Sequence, residues 1–155
     1  MKQSFTSKLF RFADLSPFDL YEIMALRQAV FIVEQNCPYL DTDGLDYHAW
    51  HFLIYDLENQ FVAYSRLLPP DILYAGYASI GRVVNLSAMR GHGLGRFLMQ
   101  QSITMCNTLF GNVPIKIGTQ FYLVPFYESL GFYSASENYT EYGRFYTRMI
   151  LDPKE

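Results

Sequence analysis

Three glycines alternate between two arginines in Arg90-Gly91-His92-Gly93-Leu94-Gly95-Arg96, and this stretch is set between a strand-like run and a helix-like run. Glycine carries no Cβ, so the amides of such a loop can turn inward and approach an anion closely. The N-terminus of the helix that follows adds unpaired N–H donors and a partial positive charge. One exposed helix terminus contributes only about 0.3–1 kcal/mol toward an anion. Several amides and a flanking arginine must therefore act together, and the oxygens of a phosphate are a ligand on which they can close.

Before the loop the chain alternates short runs of strand and helix character. Residues 7–12 read as an edge strand. Ser16-Pro17-Phe18-Asp19 is a helix start, with a serine N-cap, a proline at the first helical position and an acid in the first turn. Leu20, Ile23, Met24, Val30 and Phe31 space an apolar stripe that carries this helix to about residue 30, with Arg27 in its middle. An arginine there either pairs with a nearby carboxylate such as Glu34 at the edge of the core or lines the floor of a site. Residues 33–51 form a long, turn-rich loop whose Asp41, Asp43, Asp46 and His48 either face solvent or attract an amine.

Residues 50–55 and 60–66 are two strands of a hairpin that turns at Asp56-Leu57-Glu58-Asn59, and Leu67-Leu68-Pro69-Pro70 ends the second strand. A strand over residues 78–85 leads into the glycine loop. The helix after the loop spans 93–110, with Leu94, Leu98, Met105 and Leu109 on one stripe and Met99, Ile103 and Cys106 widening it, as burial against a sheet demands. A strand over 114–120 follows, then a short helix over 124–130 opened by Pro125 and capped by Gly131, then strands at 132–134 and 143–151.

Composition limits what this pattern can serve. With 155 residues, 50% of them hydrophobic and 17% aromatic, the chain is expected to form one domain over residues 1–155 that buries its core without disulfides or metals. A formal charge of -3 leaves no electrostatic footprint for nucleic acid. Cys37 and Cys106 lack the paired spacing of a zinc site, so no metal is expected and free thiols in a reducing cytoplasm are. Lys2, Lys8 and Arg11 are spread through a polar start and no long apolar run follows, so neither a signal peptide nor a membrane span is expected.

The loop matches neither G-x-G-x-x-G nor the Lys-Ser/Thr loop of nucleotide triphosphate binders; its spacing is R-x-x-G-x-G. Taken with Ser79-Ile80-Gly81-Arg82-Val83-Val84 and Phe126-Tyr127-Glu128-Ser129-Leu130-Gly131-Phe132, it resembles the GCN5-related N-acetyltransferase (GNAT) superfamily over nearly the whole chain. Leu26-Arg27-Gln28-Ala29-Val30-Phe31, Glu34-Gln35-Asn36-Cys37-Pro38-Tyr39 and Ala63-Tyr64-Ser65-Arg66-Leu67-Leu68-Pro69-Pro70 resemble its small ElaA-like branch. The resemblance implies an α+β, three-layer fold with a mixed, mostly antiparallel sheet of about six to seven strands, splayed at the cofactor and flanked by about four helices. It implies acetyl-coenzyme A as donor, with the pyrophosphate on Arg90, Gly91, His92, Gly93, Leu94, Gly95 and Arg96 and the pantetheine arm along the backbone of Val83 and Val84. It also implies Tyr127 as the general acid to the departing thiolate, the other reading of this residue being a core tyrosine. The acceptor would be a small-molecule or peptide amine, and a homodimer is compatible with the resemblance.

That chemistry sets requirements. An amine of pKa about 10.4 must lose a proton before it attacks. Full transfer from a tyrosine of pKa about 10 to a thiolate whose thiol has pKa about 8.5 is uphill by about 2 kcal/mol, so hydrogen bonding to developing charge and positioning of the reactants contribute more. Glu34, Asp43 and His48 are the candidate bases, Glu34 preferred because it follows the helix of Arg27, while Arg27, Asp43 and His48 are the candidate substrate contacts. His92 reads as a loop residue near phosphate and His51 as structural. Two other readings stay open. Arg27, Phe31, Asp43, Asp46 and Arg66 echo acyl-homoserine-lactone synthases, and a non-enzymatic acyl-coenzyme A binding module would keep the same glycine loop.

Overall fold

The computed structural model describes residues 4–154, so Lys2 lies outside the described residues. Four antiparallel strands, β1 (Thr6–Arg11), β2 (Trp50–Tyr55), β3 (Phe61–Leu68) and β4 (Ser79–Asn85), lie side by side in that order. A second antiparallel sheet runs β5-β7-β6, from β5 (Ile115–Gln120), β6 (Tyr133–Glu141) and β7 (Arg144–Leu151). The two sheets meet at one parallel bridge, Ala78 to Ile115, where the Ala78 amide donates to the Pro114 carbonyl at 3.0 Å and the Lys116 amide donates to the Ala78 carbonyl at 2.9 Å. Past that bridge, among the described residues, no backbone hydrogen bond joins β4 to β5. This is the expected mixed, mostly antiparallel arrangement with its splay.

Helices cover both faces of the first sheet. Helix α1 (Pro17–Arg27) begins as its sequence demands, with Ser16 Oγ accepting from the Asp19 amide at 3.0 Å, and it buries Ile23 and Leu26 against Leu53, Tyr55 and Tyr64. Helix α2 (Leu94–Phe110) buries Leu94, Leu98, Met99 and Cys106 on the other side, against Phe52, Ile54 and the second sheet. Leu53 and Tyr55 therefore face one helix while Phe52 and Ile54 face the other, which is why β2 and β3 read as almost unbroken apolar runs. The Ser65 and Ser102 hydroxyls, both buried, satisfy each other at 2.7 Å between β3 and α2. Helix α3 (Val124–Glu128) is short and stands beside β6.

Two elements differ from expectation. The first helix does not stop near residue 30: α-helical geometry ends at Arg27 and a π-helical segment, Gln28–Glu34, carries on, with the Gln35 amide reaching back to the Val30 carbonyl at 3.1 Å. The wider turn places both Val30 and Phe31 inward, one in the core and one on the cleft described below. Strand β6 runs through Glu141, far beyond the short strand expected at residues 132–134. Its polar stretch shows no alternation because it is exposed and bulged, with Ser136 at φ 58°.

Candidate active site

Where β4 and β5 part, a cleft of about 590 Å³ opens. Ile80, Gly81, Arg82 and Val83 of β4 form one wall and Gly118, Thr119 and Gln120 of β5 the other. The pairing of β4 with β3 slips between Tyr64 and Arg66, so β4 carries an extra residue, and Arg82 takes φ 49° at that bulge. A non-glycine residue held there is strained, and the bulge turns β4 out of line with β5.

Beyond the end of β4 a 3-10 turn, Ser87–Met89, leads to the glycine loop. Gly91 and Gly93 have φ of 83° and 76°, a conformation that favours glycine. Gly93 is the N-cap of α2 with no side-chain cap, and no acid occupies the first turn. Among the described residues, none of the amides of Gly91, His92, Gly93, Leu94, Gly95 and Arg96 donates to a backbone carbonyl. The contrast with α1, capped by Ser16 and carrying Asp19, shows a helix end left open to an anion.

Beneath the cleft mouth, three arginines and three aspartates interlock. Arg27, fully buried, donates from Nε to Asp41 and from Nη1 to Asp46, both at 2.7 Å. Arg66 donates to Asp43 at 2.8 and 2.9 Å and to Asp46 at 3.2 Å. Arg82 donates to the Asp41 carbonyl at 2.9 Å, and its Nε lies 2.8 Å from Asp41 Oδ1 but off the line of a hydrogen bond. Burial opposes the charge on Arg27, but the hydrogen bond to Asp46 and the carboxylates around it outweigh that and raise its pKa. Burial would raise Asp43, yet the hydrogen bonds and charge of Arg66 hold it at about 2. His51, buried alongside, meets the Tyr64 hydroxyl at 2.7 Å and the Asp46 carbonyl at 2.9 Å, and burial lowers its pKa. Removing one partner from such a network leaves a buried charge alone and costs about 3–5 kcal/mol. The acidic loop is thus tied down internally.

Tyr127 lines the cleft from α3, its ring edge-on to Phe126 at 5.1 Å and to Phe132 at 5.7 Å. Burial pushes its hydroxyl up to about 12. Across the mouth, the β6–β7 hairpin turns through Tyr142 and Gly143, with φ of 50° and 74°, the two-residue turn in which both central residues are left-handed. Holding tyrosine rather than glycine there costs about 1–2 kcal/mol. The ring lies 5.3 Å from that of Tyr39. Arg144, beside the turn, bolts the hairpin to the end of the π-helical segment by donating to the side chain of Gln35 at 3.2 Å and to its backbone carbonyl.

The expected site residues fall into separate groups. Val83 and Asp43 line the cleft with Tyr127, and Val84 turns its side chain into the α1 core. Arg27 pairs with Asp41 and Asp46, not with Glu34, and is too deep to touch a substrate. Glu34 does not line the cleft; it grips Arg90 of the glycine loop through both carboxylate oxygens, Arg90 Nη2 donating to Oε2 at 2.8 Å, and that bond holds its pKa down. A lowered carboxylate outside the cleft is poorly suited to take a proton from an amine. His48 and His92 are exposed and away from the cleft lining. Arg96 donates to Ser129 at 2.6 Å and covers Phe126, joining α2 to α3. Residues not singled out from sequence are Tyr39, Arg82, Glu141 and Tyr142; the Tyr142-Gly143 pair between two aromatic runs was the available signal.

Residues 44–153 match the acetyltransferase (GNAT) domain family. The chain is 39% identical over 141 residues to a UPF0039 protein of Synechocystis sp., covering 91% of each. It is 39% identical over 132 residues to protein ElaA of Escherichia coli, covering 84% of this chain and 86% of that one. Among solved structures it superposes on Escherichia coli ElaA with a TM-score of 0.87 at 35% identity, covering 96% of this chain and 100% of that one. It superposes on an acyl-CoA N-acyltransferase from Pseudomonas aeruginosa with a TM-score of 0.89 at 36% identity, covering 96% and 99%.

Proposed function

The chain belongs to the acetyltransferase (GNAT) family, in its ElaA-like branch, and from that premise we propose that it moves an acetyl group from acetyl-coenzyme A to a primary amine. The observation that carries the donor is the open run of amides from Gly91 to Arg96 at an uncapped helix end, directly after a strand whose edge is free. The amides of Gly91, His92, Gly93, Leu94 and Gly95, with Arg90 and Arg96 flanking, would hold the pyrophosphate. The free edge of β4 at Val83 and Val84 would hydrogen-bond the pantetheine arm and lead the thioester toward Tyr127.

In the reaction the amine nitrogen attacks the thioester carbonyl carbon, the C–N bond forms and the C–S bond breaks. The ammonium first gives one proton to water in the open cleft; the second proton, which the nitrogen loses as the amide forms, goes to the departing sulfur, which leaves as the thiol against the Tyr127 hydroxyl. Most of the rate comes from holding amine and thioester together. Arg27 and Asp43 support this site through the buried network rather than by touching substrate. The free, buried thiols of Cys37 and Cys106 accord with a reducing compartment, and we take the cytoplasm as the place of action.

Gly95 offers the test. A Cβ there meets nothing within 4 Å and needs no left-handed backbone, so Gly95→Leu is expected to keep the fold while adding bulk at the start of α2. We expect an unchanged or higher melting temperature with coenzyme A binding weakened about tenfold or more by calorimetry. Unchanged affinity would remove the phosphate role. Amine-dependent release of thiol from acetyl-coenzyme A tests the transfer itself. Of the residues that echo acyl-homoserine-lactone synthases, Arg27, Asp43, Asp46 and Arg66 meet in one network, while Phe31 lies apart on the cleft lining. An acyltransferase of that kind is the second reading, and the same assay with longer acyl-coenzyme A thioesters separates the two.

A further inference from the structure

On the cleft wall formed by the second sheet, Gly118 of β5 is paired with Arg148 of β7, and both line the opening. A Cβ at Gly118 would run into the Tyr139 hydroxyl and lie 3.7 Å from that of Tyr74, so the missing side chain leaves room for two phenol groups to converge over β5. Unlike Tyr39 and Tyr133, whose hydroxyls donate to aspartates, neither of these two donates to a protein atom among the described residues. Burial pushes Tyr139 up to about 12, so its hydroxyl keeps a proton to give at every working pH. The Arg148 guanidinium lies 4.4 Å over the Tyr139 ring and 5.7 Å from that of Tyr74. A cation and two hydroxyl donors thus stand together on one stretch of wall.

Among the described residues, the charges around the cleft leave one cation over. Asp41, Asp43 and Asp46 answer Arg27, Arg66 and Arg82. At the hairpin tip Glu141 stands across from Arg144; burial raises the pKa of the Tyr146 hydroxyl between the strands, Glu141 adds to that and Arg144 opposes it. Lys116 and Arg148, by contrast, share Glu137. Its Oε1 accepts from Lys116 Nζ at 3.0 Å, while its Oε2 lies 3.6 Å from Arg148 Nη1, too far for a hydrogen bond. Arg148 Nε is buried without a partner, yet 34% of the side chain stays exposed. An arginine stripped of water on one edge, with a carboxylate only half its own, is a seat for a second carboxylate.

Resting on the acyltransferase reading above, we infer that Arg148, with the hydroxyls of Tyr74 and Tyr139, receives a carboxylate of the acceptor, and that the acceptor is therefore an amine that carries its own acid group. Gly81 of β4 stands three residues beyond the bridge at Ala78, as Gly118 does beyond Ile115, so this seat and the edge of β4 face one another across the opening. An acid held at Arg148 leaves the amine at the other end of the molecule free to reach a thioester lying along β4. A polyamine would instead set further positive charge beside an arginine already short of a partner.

Calorimetry on protein saturated with coenzyme A tests this with the linear ω-amino acids of two to six carbons, each paired with its own carboxamide. The acid of fitting length is expected to bind about tenfold more tightly than its amide. Arg148→Gln is expected to erase that difference with coenzyme A affinity unchanged, and Arg148→Lys to restore part of it. Tyr139→Phe, which keeps the ring under Arg148 and removes only the hydroxyl, is expected to weaken the acid severalfold and spare the melting temperature. The inference is overturned if no acid in the series outbinds its amide, if the preference survives Arg148→Gln, if Tyr139→Phe is without effect, or if Arg148→Gln weakens coenzyme A, since the charge then serves the donor. Failure of the acyltransferase reading looks different: wild-type protein that binds the acid in preference to the amide yet releases no thiol from acetyl-coenzyme A in its presence.

Discussion

At Tyr127, burial between Phe126 and Phe132 has a chemical consequence. A hydroxyl pushed up to about 12 stays protonated at every working pH, and giving its proton outright to a thiolate whose thiol has pKa about 8.5 is uphill by about 5 kcal/mol. Its contribution is hydrogen bonding to the sulfur as charge develops. Tyr127→Phe is expected to lower kcat by about tenfold to a hundredfold with coenzyme A affinity intact, measured by steady-state thiol release and calorimetry; a fully active variant removes the role. The short helix that carries Tyr127 is legible because its signal is local, Pro125 at its start and Gly131 at its end, while the role of the hydroxyl follows only from the resemblance. The partner of Glu34 is not legible, because Arg90 lies 56 residues away, and Arg27 pairs with acids other than the nearby Glu34 because the fold brings in Asp41 and Asp46, 14 and 19 residues on across an irregular loop. Charge in a sequence says that a partner is needed, and the fold chooses which.

Among the elements, the β6–β7 hairpin was the least visible. Periodicity finds a strand by its buried face, and most of β6 has none: its residues are largely exposed, paired through the backbone to β7 and tied by polar and stacking contacts such as Glu137 to Lys116 and Tyr139 to Tyr146. Helix α2 was visible end to end because its wide apolar stripe fills the space between two sheets. The hairpin tip depends on one bolt, Arg144 to Gln35. Arg144→Ala is expected to speed amide hydrogen exchange around Tyr142 and to raise KM for the amine, while β2 and β3, buried on both faces, keep their protection. Unchanged exchange at the tip would show that the turn holds itself.

For the molecule as a whole, the buried charges set how stability follows pH. Asp43 is held at about 2, below the ordinary carboxylate value, so its contribution is complete above about pH 4 and is lost as pH falls toward 2. Burial holds His51 below its usual 6.5, so the neutral ring contributes fully above that pH and loses its contribution as pH falls through the lowered value. Both slopes have the same sign, and melting temperature is expected to decline steadily from about pH 6.5 downward; a melting temperature that rises on acidification contradicts the network. The main helices and the glycine loop are readable in the sequence because they rest on stripe, turn and spacing, and the layering and splay follow from the resemblance to the GNAT superfamily, whereas the network that braces the cleft rests on pairings that no local pattern encodes. One further consequence belongs to the single bridge at Ala78. An unpaired strand edge is normally a hazard, a template on which a neighbouring molecule can add its own strand. Here the bare edge of β4 lies at the bottom of a narrow crevice, out of reach of a folded neighbour with side chains on both faces. A recessed edge hinders strand-to-strand pairing with a neighbour while leaving room for an extended chain, so one gap serves both protection and access.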